Sequence, residues 1–225
     1  MSAKGSSSPC FVSQLSTPSS HAFRLHLTVF ASNLENRFTS PASDTSLLEE
    51  LQVHIRALPL AASSTVAAKQ DDLDRIGTEL WNLSTRLRRD EQPNGKTKDE
   101  IGQKRKALSF LRVFSFLLLD SAAGQTKKGR ERKNCVRLMK VALKTARVCI
   151  DTNEYNGATK VLERAADYQE ALIVETGMER SEEAALRERL RVEYFALRTT
   201  LVSKRTLLQD NLSTLVVGSI DHDVG

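Results

Sequence analysis

Apolar residues recur along most of the chain at steps of three and four, which places their side chains on one face of an α-helix. The clearest stripe is Leu73, Ile76, Leu80, Leu83 and Leu87. Similar stripes predict five more helices, over residues 44–58, 99–122, 134–150 and 158–172 and from residue 181 onward. Aromatic residues make up only 5% of the chain, which also favours helices over a β-sandwich. The pattern predicts an all-α protein.

The segment over residues 99–122 differs from the other helices because it is apolar almost all round. Its central string ALSFLRVFSFLLLDSAA (residues 107–123) is interrupted by only two charges, Arg112 and Asp120. A helix of this kind is normally buried, so we expect it at the centre of the protein, contacted on more than one side. The two charges argue against a transmembrane span, and no contact with a membrane is predicted.

Small residues lie where the helices over 134–150 and 158–172 would cross. Ala146 is on the first helix, and Ala158 and Ala165 flank Leu162 on the second. This spacing fits a tetratricopeptide unit, although the Trp, Tyr and Pro typical of that repeat are missing. We therefore predict stacked helix hairpins of a tetratricopeptide-like α-solenoid. The string DTNEYNG between the two helices is predicted to be a turn, because its glycine comes one position too late for a calcium loop.

The chain is predicted to divide into three regions. Residues 1–43 are a disordered Ser/Pro-rich leader with one helical turn around Phe30 to Phe38, and residues 44–208 are the helical repeat domain. The first helix of that domain is expected to end at Pro59. Residues 209–225 are predicted to be an irregular tail. Because the last stripe has no partner helix, we expect an array truncated at its C-terminal end, with an uncovered apolar face.

Positive charge is concentrated in the middle of the chain. Residues 86–147 hold 18 Lys/Arg against 6 Asp/Glu, whereas the whole chain has a net charge of +5. We predict a partner-contact patch formed by Trp81, Arg86, Arg88 and Arg89; the alternative is plain packing for Trp81 and solvation for the arginines. A basic loop is predicted to serve in nuclear import or phosphate contact, or to be a solvated linker; its residues are Lys127, Lys128, Arg130, Arg132 and Lys133.

Candidate catalytic chemistry is weak, and we predict no enzyme activity, cofactor or metal. The four histidines are scattered, and His54 is expected to be at the surface or half-buried. The string GKT at residues 95–97 lacks the first glycine and the preceding strand of a phosphate loop. Three cysteines form neither a disulfide framework nor zinc spacing, which indicates a reducing compartment.

Four strings of the helical region resemble a known family. They are LDRIGTELWNLSTRLRRDE (residues 73–91), LRVFSFLLLDSAA (111–123), RLMKVALKTARVCI (137–150) and ATKVLERAADYQEAL (158–172). They resemble the N-terminal region of the fungal Zip-four or Spo-twenty-two family, whose members are meiotic tetratricopeptide proteins. The resemblance covers residues 47–202. Family members are several times longer, and the chain departs from them before residue 26 and after residue 202, which suggests an incomplete or altered gene model.

The resemblance implies a nuclear scaffold on meiotic chromosomes. Its partners would be crossover and synapsis factors, and it would promote crossover formation and synaptonemal-complex assembly, with no catalytic residues to carry over. The alternative is a helical module that binds nucleic acid through the basic middle of the chain. Phosphate-driven binding of that kind would weaken steeply with salt.

Overall fold

The computed structural model of the protein describes residues 20–39, 45–62, 70–89, 98–124, 132–174 and 181–220. Within these ranges all regular structure is helical, which confirms the prediction of an all-α protein. The seven helices are α1 (Ser20–Thr39), α2 (Thr45–Ala62), α3 (Gln70–Arg89), α4 (Lys98–Gly124), α5 (Arg132–Asp151), α6 (Tyr155–Val174) and α7 (Ser181–Ile220).

Helices α3 and α4 form a tightly packed antiparallel pair. The Ser115 hydroxyl of α4 donates a hydrogen bond of 2.7 Å to the carbonyl oxygen of Gly77 in α3. A Cβ atom at Gly77 would lie 2.9 Å from Cγ of Leu119, closer than real contacts allow. Glycine is therefore required at this crossing, because any side chain would push the two helices apart.

Helices α5 and α6 are joined by a three-residue turn, as the sequence predicts. Asn153 adopts a left-handed backbone with φ of 60°, which asparagine tolerates better than most residues. The amide of Glu154 then donates to the carbonyl oxygen of Cys149 at 2.7 Å. The predicted small residues at the crossing are fully buried; they are Ala146, Ala158 and Ala165.

Helix α4 lies at the centre of the protein, as its apolar sequence predicts. It contacts α2, α3, α5 and α6. It runs in the same direction as α6, since Lys106 pairs with Glu154 just before α6, and Asp120, further along α4, pairs with Arg164, further along α6. The buried core continues through the aromatic and leucine side chains of α4, including Phe114 and Phe116.

Helix α7 packs on α5 and α6 through only part of its length. Its buried stripe is Leu190, Tyr194, Leu197 and Leu201, whereas every residue from Val202 to Asp210 is exposed. The prediction that the last stripe is left uncovered is therefore wrong, because α5 and α6 cover it. Other large apolar side chains of this helix are exposed; they are Val192, Phe195, Val202, Leu207 and Leu208.

The predicted disordered leader is wrong for residues 20–39, which form α1. Phe30, Leu34 and Phe38 recur every four residues and are all buried in the core. Helix α1 contacts α2 and α3, so tertiary packing stabilises a segment whose serine-rich composition argues against order. Residues 1–19 lie outside the described part of the chain.

Two predicted boundaries are also wrong. Helix α2 continues through Pro59 to Ala62, because a proline in the last turn removes only one backbone donor. Helix α7 continues to Ile220, so residues 209–220 are helical rather than irregular. No glycine or proline interrupts the chain between Ser181 and Gly218, and nothing local therefore stops the helix.

Candidate protein-interaction surface

The exposed face of α5 is basic from Lys133 to Arg147 and ends at the exposed Asp151. Its cationic residues follow one another at steps of four, three, four and three, the spacing of a single helix face. We call this set the basic face of α5; it consists of Lys133, Arg137, Lys140, Lys144 and Arg147, all exposed. The opposite side of α5 is buried in the core. At 1.5 Å per residue, the basic face is about 21 Å long.

Acidic residues of the neighbouring helices contact the basic face at two points. Arg137 pairs with Asp74 of α3 at 3.2 Å and donates a hydrogen bond of 3.0 Å to the Thr78 hydroxyl. Arg147 pairs with Glu193 of α7 at 2.8 Å. Helices α3 and α7 therefore flank α5 on its two sides. The other three residues of the basic face are lysines, and no described residue forms an ion pair with them; they are Lys133, Lys140 and Lys144.

Trp81 and Arg112 form a second feature, between α3 and α4. The guanidinium carbon of Arg112 lies 4.8 Å from the centre of the Trp81 ring, a cation–π arrangement. Arg112 is only 6% exposed, whereas Trp81 is half-buried. Among the described residues, none offers Arg112 a carboxylate or a hydrogen bond. We call Trp81, Arg88 and Arg112 together the Arg112 site.

The surroundings of Arg112 destabilise its charged form. Burial and, to a smaller extent, the nearby positive charge of Arg88 lower the pKa of its guanidinium from 12.5 to about 10. Arg88 lies two turns after Trp81 on the same face of α3. A buried cation that has a second cation near it, and no anion beside it among the residues that the structure describes, is unusual for a side chain that only supports a fold.

The structure separates the four residues of the predicted contact patch. Trp81 and Arg88 share one face of α3, but Arg86 lies on a different face and pairs with Glu35 of α1 at 3.1 Å. Arg86 also lines a groove of about 230 Å³ between α1 and α3. Arg89 is exposed. The patch is therefore not one surface.

The predicted basic loop lies mostly outside the described residues. Lys127, Lys128 and Arg130 are not described, and Arg132 is known only as the first residue of α5. Lys133 is exposed and begins the basic face of α5. The phosphate-loop string at residues 95–97 also lies outside the described ranges.

Asp120 forms a buried cluster with two residues of α6. Nε and Nη2 of Arg164 donate to its two carboxylate oxygens at 2.9 and 3.0 Å, and the Tyr168 hydroxyl donates to Oδ1. Burial, together with the adjacent Asp120 charge, raises the pKa of the Tyr168 hydroxyl. The carboxylate is fully used, so this cluster joins α4 to α6 and is not available to a ligand.

The side chains of His54 and Cys149 are buried in the core. His54 is buried rather than at the surface, and its ring centre lies 4.4 Å from that of Phe30 and 5.7 Å from that of Phe114. The expectation of an exposed or half-buried His54 is therefore wrong, because its helix face meets α1 and α4. Burial and the charge of Glu154 raise the pKa of the Cys149 thiol to about 12, which leaves it protonated.

Neither metal nor membrane signals appear in the described ranges. No three His, Cys, Asp or Glu side chains there come together as a metal site requires. None of the helices searched is long and apolar enough to cross a membrane.

A scan against protein-family models finds no matching family, and searches of curated proteins and of solved structures find no match either. Function is therefore inferred from the side chains of this chain and from the resemblance of its four strings.

Sequence reasoning missed both the basic face of α5 and Arg112. The basic face could have been found, because its five residues have the same spacing as an apolar stripe. Arg112 was noticed only as a charge that interrupts an apolar string. Its position over Trp81 depends on the register in which α3 and α4 pack, and that register cannot be predicted from the sequence.

Proposed function

We propose that this protein is a non-catalytic scaffold that binds an acidic segment of another protein on the basic face of α5. The observation that carries the proposal is the run of five cations along that face, which covers about 21 Å before Asp151 ends the helix. Charge complementarity of this kind speeds association and selects partners. An extended peptide of six residues spans about 20 Å, which matches the length of the face.

The contacts between helices favour an α-solenoid architecture. Consecutive helices pair as α3 with α4 and as α5 with α6, and α7 packs on both α5 and α6. Helices α3, α5 and α7 would then form one layer, and α4 and α6 the other. In such arrays one layer presents side chains to an extended ligand. The basic face of α5 would lie in the middle of the ligand-binding layer.

The meiotic setting rests on the resemblance alone. The four strings of residues 73–91, 111–123, 137–150 and 158–172 support a place for this chain in the nucleus, on meiotic chromosomes. There it would bring crossover-stabilising factors together with the assembly of the synaptonemal complex. Its partners would then be crossover and synapsis proteins that carry acidic segments.

Nucleic acid is the second candidate ligand, because phosphates also bind lysine and arginine. The flanks of the basic face speak against it. Asp74 of α3 and Glu193 of α7 border the face on its two sides. A duplex is wider than one α-helix and would bring its phosphates against these carboxylates, whereas a single peptide strand can lie along α5 between them.

The test compares the binding of a labelled hexaglutamate peptide and a labelled DNA duplex by fluorescence anisotropy. The full chain should bind the peptide more tightly than the duplex at about 150 mM salt. Replacing Lys140 and Lys144 together by glutamate should weaken peptide binding at least about tenfold, through lost attraction and added repulsion. A matched variant reverses two exposed cations away from the face, Arg56 and Lys160, and should change the affinity less than about twofold. Tighter binding of the duplex would overturn the proposal.

A further inference from the structure

The Arg112 site has the features of a receptor for an anion. Arg112 is only 6% exposed as a whole residue, and no described residue forms a hydrogen bond or an ion pair with its guanidinium, whose nitrogens still touch solvent. Partial removal of an ion from water without a partner is costly in folding. The Trp81 ring lowers this cost only in part, because a cation–π contact is weaker than an ion pair with a carboxylate.

The surroundings of Arg112 define the chemistry that would satisfy it. The guanidinium carbon of Arg112 lies over the Trp81 ring, 4.8 Å from its centre, and the positive charge of Arg88 lies near. The edge of a guanidinium carries its N–H donors, which match the two oxygens of a carboxylate. A carboxylate bound here would pair with the guanidinium of Arg112, be attracted by the charge of Arg88 and pack beside the ring of Trp81.

We propose that the Arg112 site binds the carboxylate of one Asp or Glu side chain of the acidic partner segment. This inference rests on the proposed function and makes it more specific, because it assigns one acidic residue of the partner to a defined receptor. Trp81 is the wall of the receptor, Arg112 its buried donor, and Arg88 the cation at its edge.

A side-chain carboxylate fits the site better than the phosphate of a nucleic acid backbone. Arg112 is buried between α3 and α4, so only a group carried on a thin, flexible stem can reach its guanidinium. The phosphates of a duplex are part of a broad surface, and they would be stopped by the exposed residues around the site. Carboxylate and guanidinium also bind in two parallel hydrogen bonds, which fixes the register of the bound segment.

The site can be observed directly because Trp81 is the only tryptophan of the chain. Titration with hexaglutamate should change the intrinsic fluorescence of the protein in a saturable way. Arg112→Met keeps the apolar stem of the side chain but removes the guanidinium and its charge. This variant should bind the labelled peptide at least about tenfold more weakly than the unchanged protein, with an unaltered circular dichroism spectrum.

Two exposed arginines of α3 provide a matched pair in case the buried substitution disturbs packing. Arg88→Gln should weaken peptide binding about threefold or more, whereas Arg89→Gln, the same change one residue later, should alter it less than about twofold. Equal effects of the two substitutions would overturn the proposal, as would full peptide affinity of Arg112→Met.

Three further outcomes separate this inference from its alternatives. If the Lys140 and Lys144 double variant loses peptide binding but Arg112→Met does not, the proposed scaffold function is supported and the proposed role of the Arg112 site is refuted. If inorganic phosphate produces the same fluorescence change at the same concentration, the proposal that the Arg112 site selects a carboxylate is refuted. Tighter peptide binding after Asp90→Asn and Glu91→Gln would show that the chain's own carboxylates fill the site.

Discussion

Helix α4 carries two buried charges, Arg112 and Asp120, and their surroundings are opposite. Asp120 is 7% exposed and accepts hydrogen bonds from both Arg164 and Tyr168. Arg112 is 6% exposed, and among the described residues its guanidinium has the face of Trp81 and the repelling charge of Arg88 beside it but no carboxylate. The two residues are two turns apart on the same helix, so neither burial nor the element explains the difference.

The charge of Asp120 stabilises the fold, whereas the charge of Arg112 destabilises it. A paired and hydrogen-bonded buried charge is the usual solution inside a protein. The pKa of Arg112, lowered from 12.5 to about 10, means that its charged form is less stable in the fold than in the unfolded chain. This cost is present at every pH below about 10 and disappears as the pH rises towards 12.5. A retained cost of this kind is common where a residue serves binding.

The largest effect is expected from Asp120→Ala. This change leaves the Tyr168 hydroxyl and two of the donors of Arg164 without their acceptor, and it removes one link between α4 and α6. The free energy of unfolding should fall by about 2 to 3 kcal/mol in urea denaturation. Asp167→Ala is the matched control, because Asp167 pairs with the same arginine but is exposed, and it should lower the value by less than about 1 kcal/mol. Equal losses would mean that the buried cluster is not what stabilises α4.

A smaller effect is expected from Tyr168→Phe, which removes one donor to Asp120 and keeps the ring. The carboxylate retains both bonds from Arg164, so the loss should be about 1 to 2 kcal/mol in the same denaturation experiment. Replacement of Tyr155 by Phe is a suitable control, since its hydroxyl donates only to the exposed Asn153. A loss larger than that of Asp120→Ala would contradict the assignment of the cluster.

The smallest effect on stability, and one of opposite sign, is expected from Arg112→Met. The substitution removes an uncompensated buried charge and keeps most of the packing, so the free energy of unfolding should rise by about 1 kcal/mol. Differential scanning calorimetry would show a higher Tm than that of the unchanged protein. A clearly lower Tm would mean that Arg112 supports the fold in the way that Asp120 does.

The two charges also show how much of the molecule the sequence predicts. The apolar string around them predicts a central buried helix, and the structure confirms it. Their roles could not be predicted, because the partners are 31 positions before Arg112 and 44 and 48 positions after Asp120. Helix α1 was missed for the same reason, since Phe30, Leu34 and Phe38 are stabilised by packing on distant helices. Local patterns predict elements, whereas contacts between elements depend on register.

The most direct measurement determines unfolding and hexaglutamate binding for Arg112→Met on the same preparation. If a binding site is the reason for the buried charge, the two properties must change in opposite directions. We predict a higher free energy of unfolding together with an affinity at least about tenfold weaker. A variant that loses stability and binding together, or that keeps full affinity, would contradict the account.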